Sequence, residues 1–222
     1  YYVAMDFVDG PTLEEEIRRR GIFAEDAMLE LVSQIAGAVA CLHEKRIVHR
    51  DLKPGNLILS TVKSAPSGVT LIDLGEAKLE HEPDDWSSLD DPWVPGTPLY
   101  MAPEQARGDG TSPASDVYAV GAIAYELLTG KPALALKRAD SETCLAYLRS
   151  ERPLPVLRIE DLCPSVHPET SALIQRCLSR VVQERPEDAD ALKCEVDSLI
   201  AKRPPPPEGL RRVLRGVWPK GG

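Results

Sequence analysis

The chain has 222 residues, 43% of them hydrophobic and 27% charged, a composition that supports a packed globular domain and excludes wholesale disorder. Twenty-six Lys and Arg against 35 Asp and Glu leave a net charge of −9, which argues against general nucleic-acid binding. No run approaches the roughly 18 consecutive apolar residues of a bilayer span, and five scattered cysteines without a C-x-x-C pair support neither a zinc site nor a disulfide framework.

Residues 1–9 (YYVAMDFVD) are aromatic and β-branched and read as an edge strand running into the Gly10-Pro11 turn. The chain opens on Tyr1 without a leader pattern, and we expect it to be a piece of a longer polypeptide. Thr12, with Glu15 three residues on, forms a capping-box signature for a short charged helix to Arg20. From Glu25 to about Lys45, Met28, Leu31, Ile35, Val39 and Leu42 recur at helical steps and predict a core-facing helix. Ile47-Val48, residues 56–59 and residues 69–72 are short β-type runs, the last two joined by a Ser/Pro/Gly turn. Residues 76–98 lack a period and are acid-rich, and an internal loop of that length is usually functional. Ser115 to Leu128 is almost wholly apolar and predicts a helix buried on all sides. Helices are also expected over Ser141–Arg149, Pro168–Leu178 and Ala189–Ala201, before four prolines at 204–207 stop the fold.

The chemistry concentrates in His49-Arg50-Asp51-Leu52-Lys53-Pro54-Gly55-Asn56, followed by Asp73-Leu74-Gly75 and then by Ala102-Pro103-Glu104. In these three segments, in this order, the sequence resembles the eukaryotic-type (Hanks-type) protein kinases, with their H-R-D-L-x-x-x-N loop, D-F-G and A-P-E. The resemblance covers residues 1 to about 202 and matches the hinge and the larger, C-terminal lobe. It implies an α+β, protein-kinase-like fold, mainly helical with short β-hairpins, and a kinase domain over 1–202 with the N-lobe absent from this chain. No G-x-G-x-x-G occurs in the sequence, and the Gly-rich loop and ATP lysine are expected upstream in the same polypeptide.

By the same resemblance Asp51 matches the catalytic Asp that accepts the substrate hydroxyl's proton, and Asn56 and Asp73 match the Mg²⁺ ligands. The cofactors implied are ATP and Mg²⁺, whose preference for hard oxygen donors suits an amide and a carboxylate. Lys53 matches the γ-phosphate lysine of the serine/threonine branch, and Thr97 the threonine that bridges Asp51 and Lys53. Ala4, Met5 and Asp6 fall at the hinge, where backbone groups bond adenine, and Ile58 at the floor beneath the ring. His49 and Leu74 resemble members of a packed column joining the lobes, Leu74 replacing the usual phenylalanine. Asp116 matches the carboxylate that holds the catalytic-loop backbone, and Glu104 and Arg185 a buried ion pair. Arg50 precedes the catalytic Asp, as in kinases switched by a phosphate in the activation segment, with Ser87 and Ser88 as candidates amid Asp84, Asp85, Asp90 and Asp91.

The implied activity is transfer of the γ-phosphate of Mg·ATP to serine or threonine of protein substrates, in a bacterial, cytoplasmic setting. Two rival functions carry weight: a pseudokinase scaffold, which the intact Asp51, Lys53, Asn56 and Asp73 oppose, and a small-molecule phosphotransferase, which Thr97 and the Ala102-Pro103-Glu104 segment oppose. Residues 203–222 carry a net charge of +4, against −13 for the rest. They read as a Pro-rich linker, or as a basic juxtamembrane tail before a membrane anchor beyond Gly222.

Overall fold

The structure, a computed structural model, describes residues 7–59, 68–74, 78–79, 98–136 and 140–203. Helix α1 (Leu13–Arg20) begins at the expected capping box. The Glu15 N–H donates to Thr12 Oγ1 at 3.2 Å, and the Thr12 N–H donates to Glu15 Oε2 at 2.9 Å. Three glutamates in its first turn and three arginines in its last complement the helix dipole. Phe7 to Asp9 take no strand, so the edge strand expected over residues 1–9 is not found where it can be checked. The β-pairing at this corner comes instead from Thr12, which bridges Ile58, and from the Leu59 N–H, which donates to the Pro11 carbonyl.

Helix α2 (Glu25–His43) buries Met28, Leu31, Ile35 and Val39, the stripe read from the sequence, while Leu42 lies only half-buried. The stripe packs against α4 (Pro113–Thr129), which starts two residues earlier than predicted and is buried nearly throughout. Helix α8 (Ala189–Ala201) covers α2 on another side. The two run antiparallel, since Ala189 meets His43 at one end and Arg203 meets Glu25 and Asp26 at the other. Helix α7 (Pro168–Cys177) closes the bundle against α4.

Among the described residues four short strands form two antiparallel ribbons: β1 (Ile47–Val48) with β4 (Lys78–Leu79), and β2 (Leu57–Leu59) with β3 (Val69–Leu71). Register in the second ribbon pairs Leu57 with Leu71 and Leu59 with Val69. Leu57 and Leu59 point into the main core, and Ile58, on the opposite face by strand alternation, stays partly exposed. Asn56, expected at the start of this strand, belongs to a 3-10 turn over Pro54–Asn56 instead. A smaller core of Ala106, Leu134 and Leu148 joins α3 (Pro103–Arg107) to α5 (Ser141–Arg149), and α6 (Ile159–Leu162) packs near α4. This is the mainly helical kinase-like architecture that the sequence implies. No helix among the described residues is long and apolar enough to cross a membrane.

One packing contact is unusually close. A Cβ placed on Gly121, in the middle of α4, would lie 2.4 Å from the Cβ of Cys177 at the end of α7. Only glycine lets the two backbones approach this far. Burial on this interface also pushes the Cys177 thiol up to about 12. Gly121→Ala should therefore destabilise the lobe by about 1–3 kcal/mol, as overpacking of a filled core does. Thermal denaturation measures the loss, and an unchanged midpoint would show that α4 and α7 separate freely.

Candidate active site

The site is built on the loop between β1 and the Pro54–Asn56 turn. Arg50 occupies the left-handed region there, at φ 71, and Asp73 does so just after β3, at φ 64. Non-glycine residues hold such conformations only where their surroundings fix them. For Arg50 the anchor is Asp116, in the first turn of α4 and 1% exposed. Its Oδ2 accepts the His49 N–H at 2.8 Å, and its Oδ1 accepts the Arg50 N–H at 2.9 Å. A third donor, His43 Nε2 at 2.9 Å, comes from the last turn of α2. The His43 Nδ1 accepts the Ala189 N–H at 3.2 Å, which leaves the ring proton on Nε2, facing Asp116. His43 escaped the sequence reading because a histidine in a helix's last turn looks like a dipole partner.

His49 is fully buried, and its Nδ1 faces the Asp51 N–H at 3.3 Å. Burial holds its imidazole below the ordinary 6.5, partly offset by Asp116 and Asp51. Asp51 itself is half-buried at the loop's open side. Lys53 Nζ donates to its Oδ2 at 2.5 Å. Asn56 Nδ2 donates to the Asp51 carbonyl at 2.8 Å and to Oδ2 at 3.2 Å. Because the Asn56 nitrogen is turned toward Asp51, its Oδ1 is the atom of that amide suited to a cation. The Ile72 N–H donates to the Asn56 carbonyl at 2.9 Å, which brings the exposed Asp73 alongside Asn56.

Three of the sequence-predicted residues, Asp51, Lys53 and Asn56, are thus joined by hydrogen bonds, and Asp73 follows Ile72, whose N–H is held by Asn56. Among the described residues no group of three or more His, Cys, Asp or Glu could hold a metal ion. The two residues that the resemblance assigns to a cation, Asn56 and Asp73, offer one amide and one carboxylate oxygen donor. Such a sparse, hard set fits Mg²⁺, which keeps waters and takes phosphate oxygens to complete its octahedron. Leu74 does not share the burial of His49. Its side chain is 51% exposed, because nothing among the described residues covers that edge of the lobe. Ala4, Met5, Asp6, Ser87, Ser88 and Thr97 lie outside the described residues.

Below the loop the ends of the Ala102-Pro103-Glu104 segment are fixed. Glu104 forms a two-pronged pair with Arg185, Oε1 to NH1 at 2.7 Å and Oε2 to NH2 at 2.8 Å. Ser115 Oγ donates to Glu104 at 2.8 Å, and the Ala114 carbonyl accepts from Arg185 at 3.0 Å. The Arg185 guanidinium also lies 5.1 Å from the Tyr118 ring centroid. Tyr100 Oη donates to Glu126 at 2.5 Å, tying the approach to this segment to α4. Burial raises both the Tyr100 hydroxyl and the Glu126 carboxyl above their ordinary values.

The protein kinase domain family matches residues 1–196 of the chain. This chain belongs to the protein kinase family. The kinase is 36% identical over 205 residues to the serine/threonine-protein kinase pkn3 of Myxococcus xanthus, covering 91% of this chain and 37% of that protein. It is 30% identical over 205 residues to the serine/threonine-protein kinase PknB of Mycobacterium leprae, covering 92% of this chain and 31% of the relative. A second Myxococcus xanthus relative, the serine/threonine-protein kinase Pkn1, is 34% identical over 189 residues, covering 84% and 25%. All three relatives are bacterial proteins named as serine/threonine-protein kinases, and the chain spans about a third of the length of the first two.

Two consequences can be measured on this kinase. Arg185→Ala leaves the Glu104 carboxylate buried without its partner and should cost about 3–5 kcal/mol, read by urea unfolding. A loss below 1 kcal/mol would mean that the pair is not buried in solution. The His49 effect concerns pH. Its folded-state proton affinity is depressed, so the unfolded chain binds more protons as pH falls through 6.5. The stability His49 contributes as a neutral group is thus present above that pH and lost below it. In His49→Phe, the drop in melting temperature between pH 8 and pH 5.5 should be shallower than in the wild type, whatever the absolute stability.

Proposed function

We propose that this chain supplies the hinge and catalytic lobe of a serine/threonine protein kinase that transfers the γ-phosphate of ATP to protein hydroxyls. The observation that carries the reading is the fixing of one carboxylate. Asp51 Oδ2 is held by both Lys53 and Asn56, while its backbone is held by Asn56 and, through its neighbours, by Asp116.

Phosphoryl transfer asks a protein mainly to position groups and to neutralise charge. Asp51 would accept the proton of the serine or threonine hydroxyl as its oxygen bonds to the γ-phosphorus and the bond to ADP breaks. The Lys53 ammonium, beside Asp51, would turn toward the transferring phosphoryl oxygens and balance their charge. Asn56 Oδ1 and the Asp73 carboxylate would hold Mg²⁺, which supplies charge neutralisation at the phosphates. Ile58 would lie beneath the adenine, with the backbone of Ala4, Met5 and Asp6 at its edge and Thr97 closing the contact between Asp51 and Lys53. The Ala102–Glu104 segment, anchored by Arg185, would form the ledge for a peptide substrate, and that ledge favours protein over small-molecule acceptors. The catalytic unit ends near residue 202, and the domain works in the cytoplasm on protein partners.

The test uses the natural full-length polypeptide with γ-labelled ATP, Mg²⁺ and a mixed Ser/Thr peptide library, with free serine and an aminoglycoside as competing acceptors. Peptide labelling is expected, and Asp51→Asn should lower kcat by 10²–10⁴-fold, the usual share of general-base catalysis. Asp51→Asn melting within a degree or two of wild type would separate lost chemistry from lost fold. Labelling of the small acceptors alone would point to a small-molecule phosphotransferase, and labelling of none to a scaffold.

A further inference from the structure

Gln105 follows Glu104 and belongs to no motif read from the sequence, yet it is 2% exposed and both ends of its amide are engaged. Its Oε1 accepts the Ala102 N–H at 3.1 Å, and its Nε2 donates to the Arg50 carbonyl at 2.9 Å, across 55 residues of chain. The Arg50 N–H is the one held by Asp116 Oδ1 at 2.9 Å. The two peptide planes flanking Arg50 are therefore gripped separately, one by Asp116 and the other by Gln105 at its carbonyl, with the longer 3.3 Å contact of the Asp51 N–H to His49 Nδ1 at its other edge. At φ 71 an arginine sits in a well that is unfavourable for an L-residue, so an unbraced loop would relax out of it. The plane that Gln105 grips is the one that leads into Asp51. Rotating it would swing the Asp51 Cα, and with it the carboxylate that Lys53 and Asn56 hold.

We infer that Gln105 is a positioning residue for Asp51. It fixes the Arg50–Asp51 peptide, and through Ala102 it ties the geometry of the catalytic loop to that of the Ala102–Glu104 segment. Displacement of that segment, by a peptide or by a change upstream of it, is thereby transmitted to the aim of Asp51. The catalytic half of this inference rests on the kinase reading above, whereas the bracing of Arg50 does not.

Two variants in the full-length polypeptide separate the roles. Gln105→Glu keeps the acceptor for Ala102 and, when ionised, lacks the donor for Arg50; Gln105→Met lacks both. Hydrogen exchange followed by mass spectrometry reads backbone protection over residues 49–56, and steady-state kinetics with ATP and a Ser/Thr peptide reads kcat and KM. Both variants are expected to exchange at least tenfold faster over 49–56 while α4 keeps its protection. In both, kcat should fall about ten- to hundred-fold with KM for ATP within twofold, the signature of a misaimed group rather than of lost binding. Unchanged exchange over 49–56, or unchanged kcat, would overturn the inference. So would a general loss of protection in α4 in both variants, which would make Gln105 a support of the core alone. A wild-type protein that labels no peptide would overturn the kinase reading, and exchange would then decide the bracing of Arg50 by itself.

Discussion

The Asp116 carboxylate is 1% exposed, and it accepts three donors brought from two other parts of the chain: the N–H groups of His49 and Arg50, and the His43 imidazole. A carboxylate so far from water is stable only while such donors are present. The dependence runs both ways, because Asp116 holds one of the two peptide planes that keep Arg50 in its left-handed conformation. Helix α4 sets Asp116 in place, α2 brings His43, and α8 fixes His43 through Ala189. The active loop is thus suspended from the three most tightly packed helices of the lobe, although its own residues form little regular structure.

Packing and chemistry are separated along the chain in a consistent way. The helices supply area and rigidity, while Asp51, Lys53, Asn56 and Asp73 sit on short irregular stretches at the ends of two-stranded ribbons whose strands have two or three residues. Neither β1–β4 nor β2–β3 is long enough to be stable alone. Their role is local: the Ile72 N–H reaches the Asn56 carbonyl at the end of the second ribbon and so sets the Asp73 side of the site against the Asn56 side.

Much of this was legible in the sequence wherever a signal repeats or has a fixed spacing. The Thr12–Glu15 cap, the α2 stripe and the apolar run of α4 come from local rules, and the order of the Asp51, Asp73 and Glu104 motifs carried the family. Helices α3 and α6, of five and four residues, were invisible because neither completes two turns of periodicity. Strand β4 has two residues, and Lys78 pairs with Val48, 30 positions earlier in the chain, so no alternation could mark it. Gln105 and His43 were missed for a different reason. Each acts through a long-range hydrogen bond, and a glutamine or histidine at one position looks the same whether it faces solvent or a distant carbonyl. The Glu104–Arg185 pair, 81 residues apart, was reached only through the resemblance and not from spacing.

Arg203 closes the described part of the chain with contacts to Glu25, Asp26 and Thr170. Glu25 and Asp26 open α2, whose other end carries His43. With 19 residues at 1.5 Å each, those ends are about 28 Å apart. Arg203 is consequently clasped at the end of α2 remote from His43 and the Asp116 carboxylate. A pull applied at Arg203 meets a partly exposed ionic clasp first, and the clasp weakens with ionic strength. Asp51 is insulated from tension by the whole length of α2.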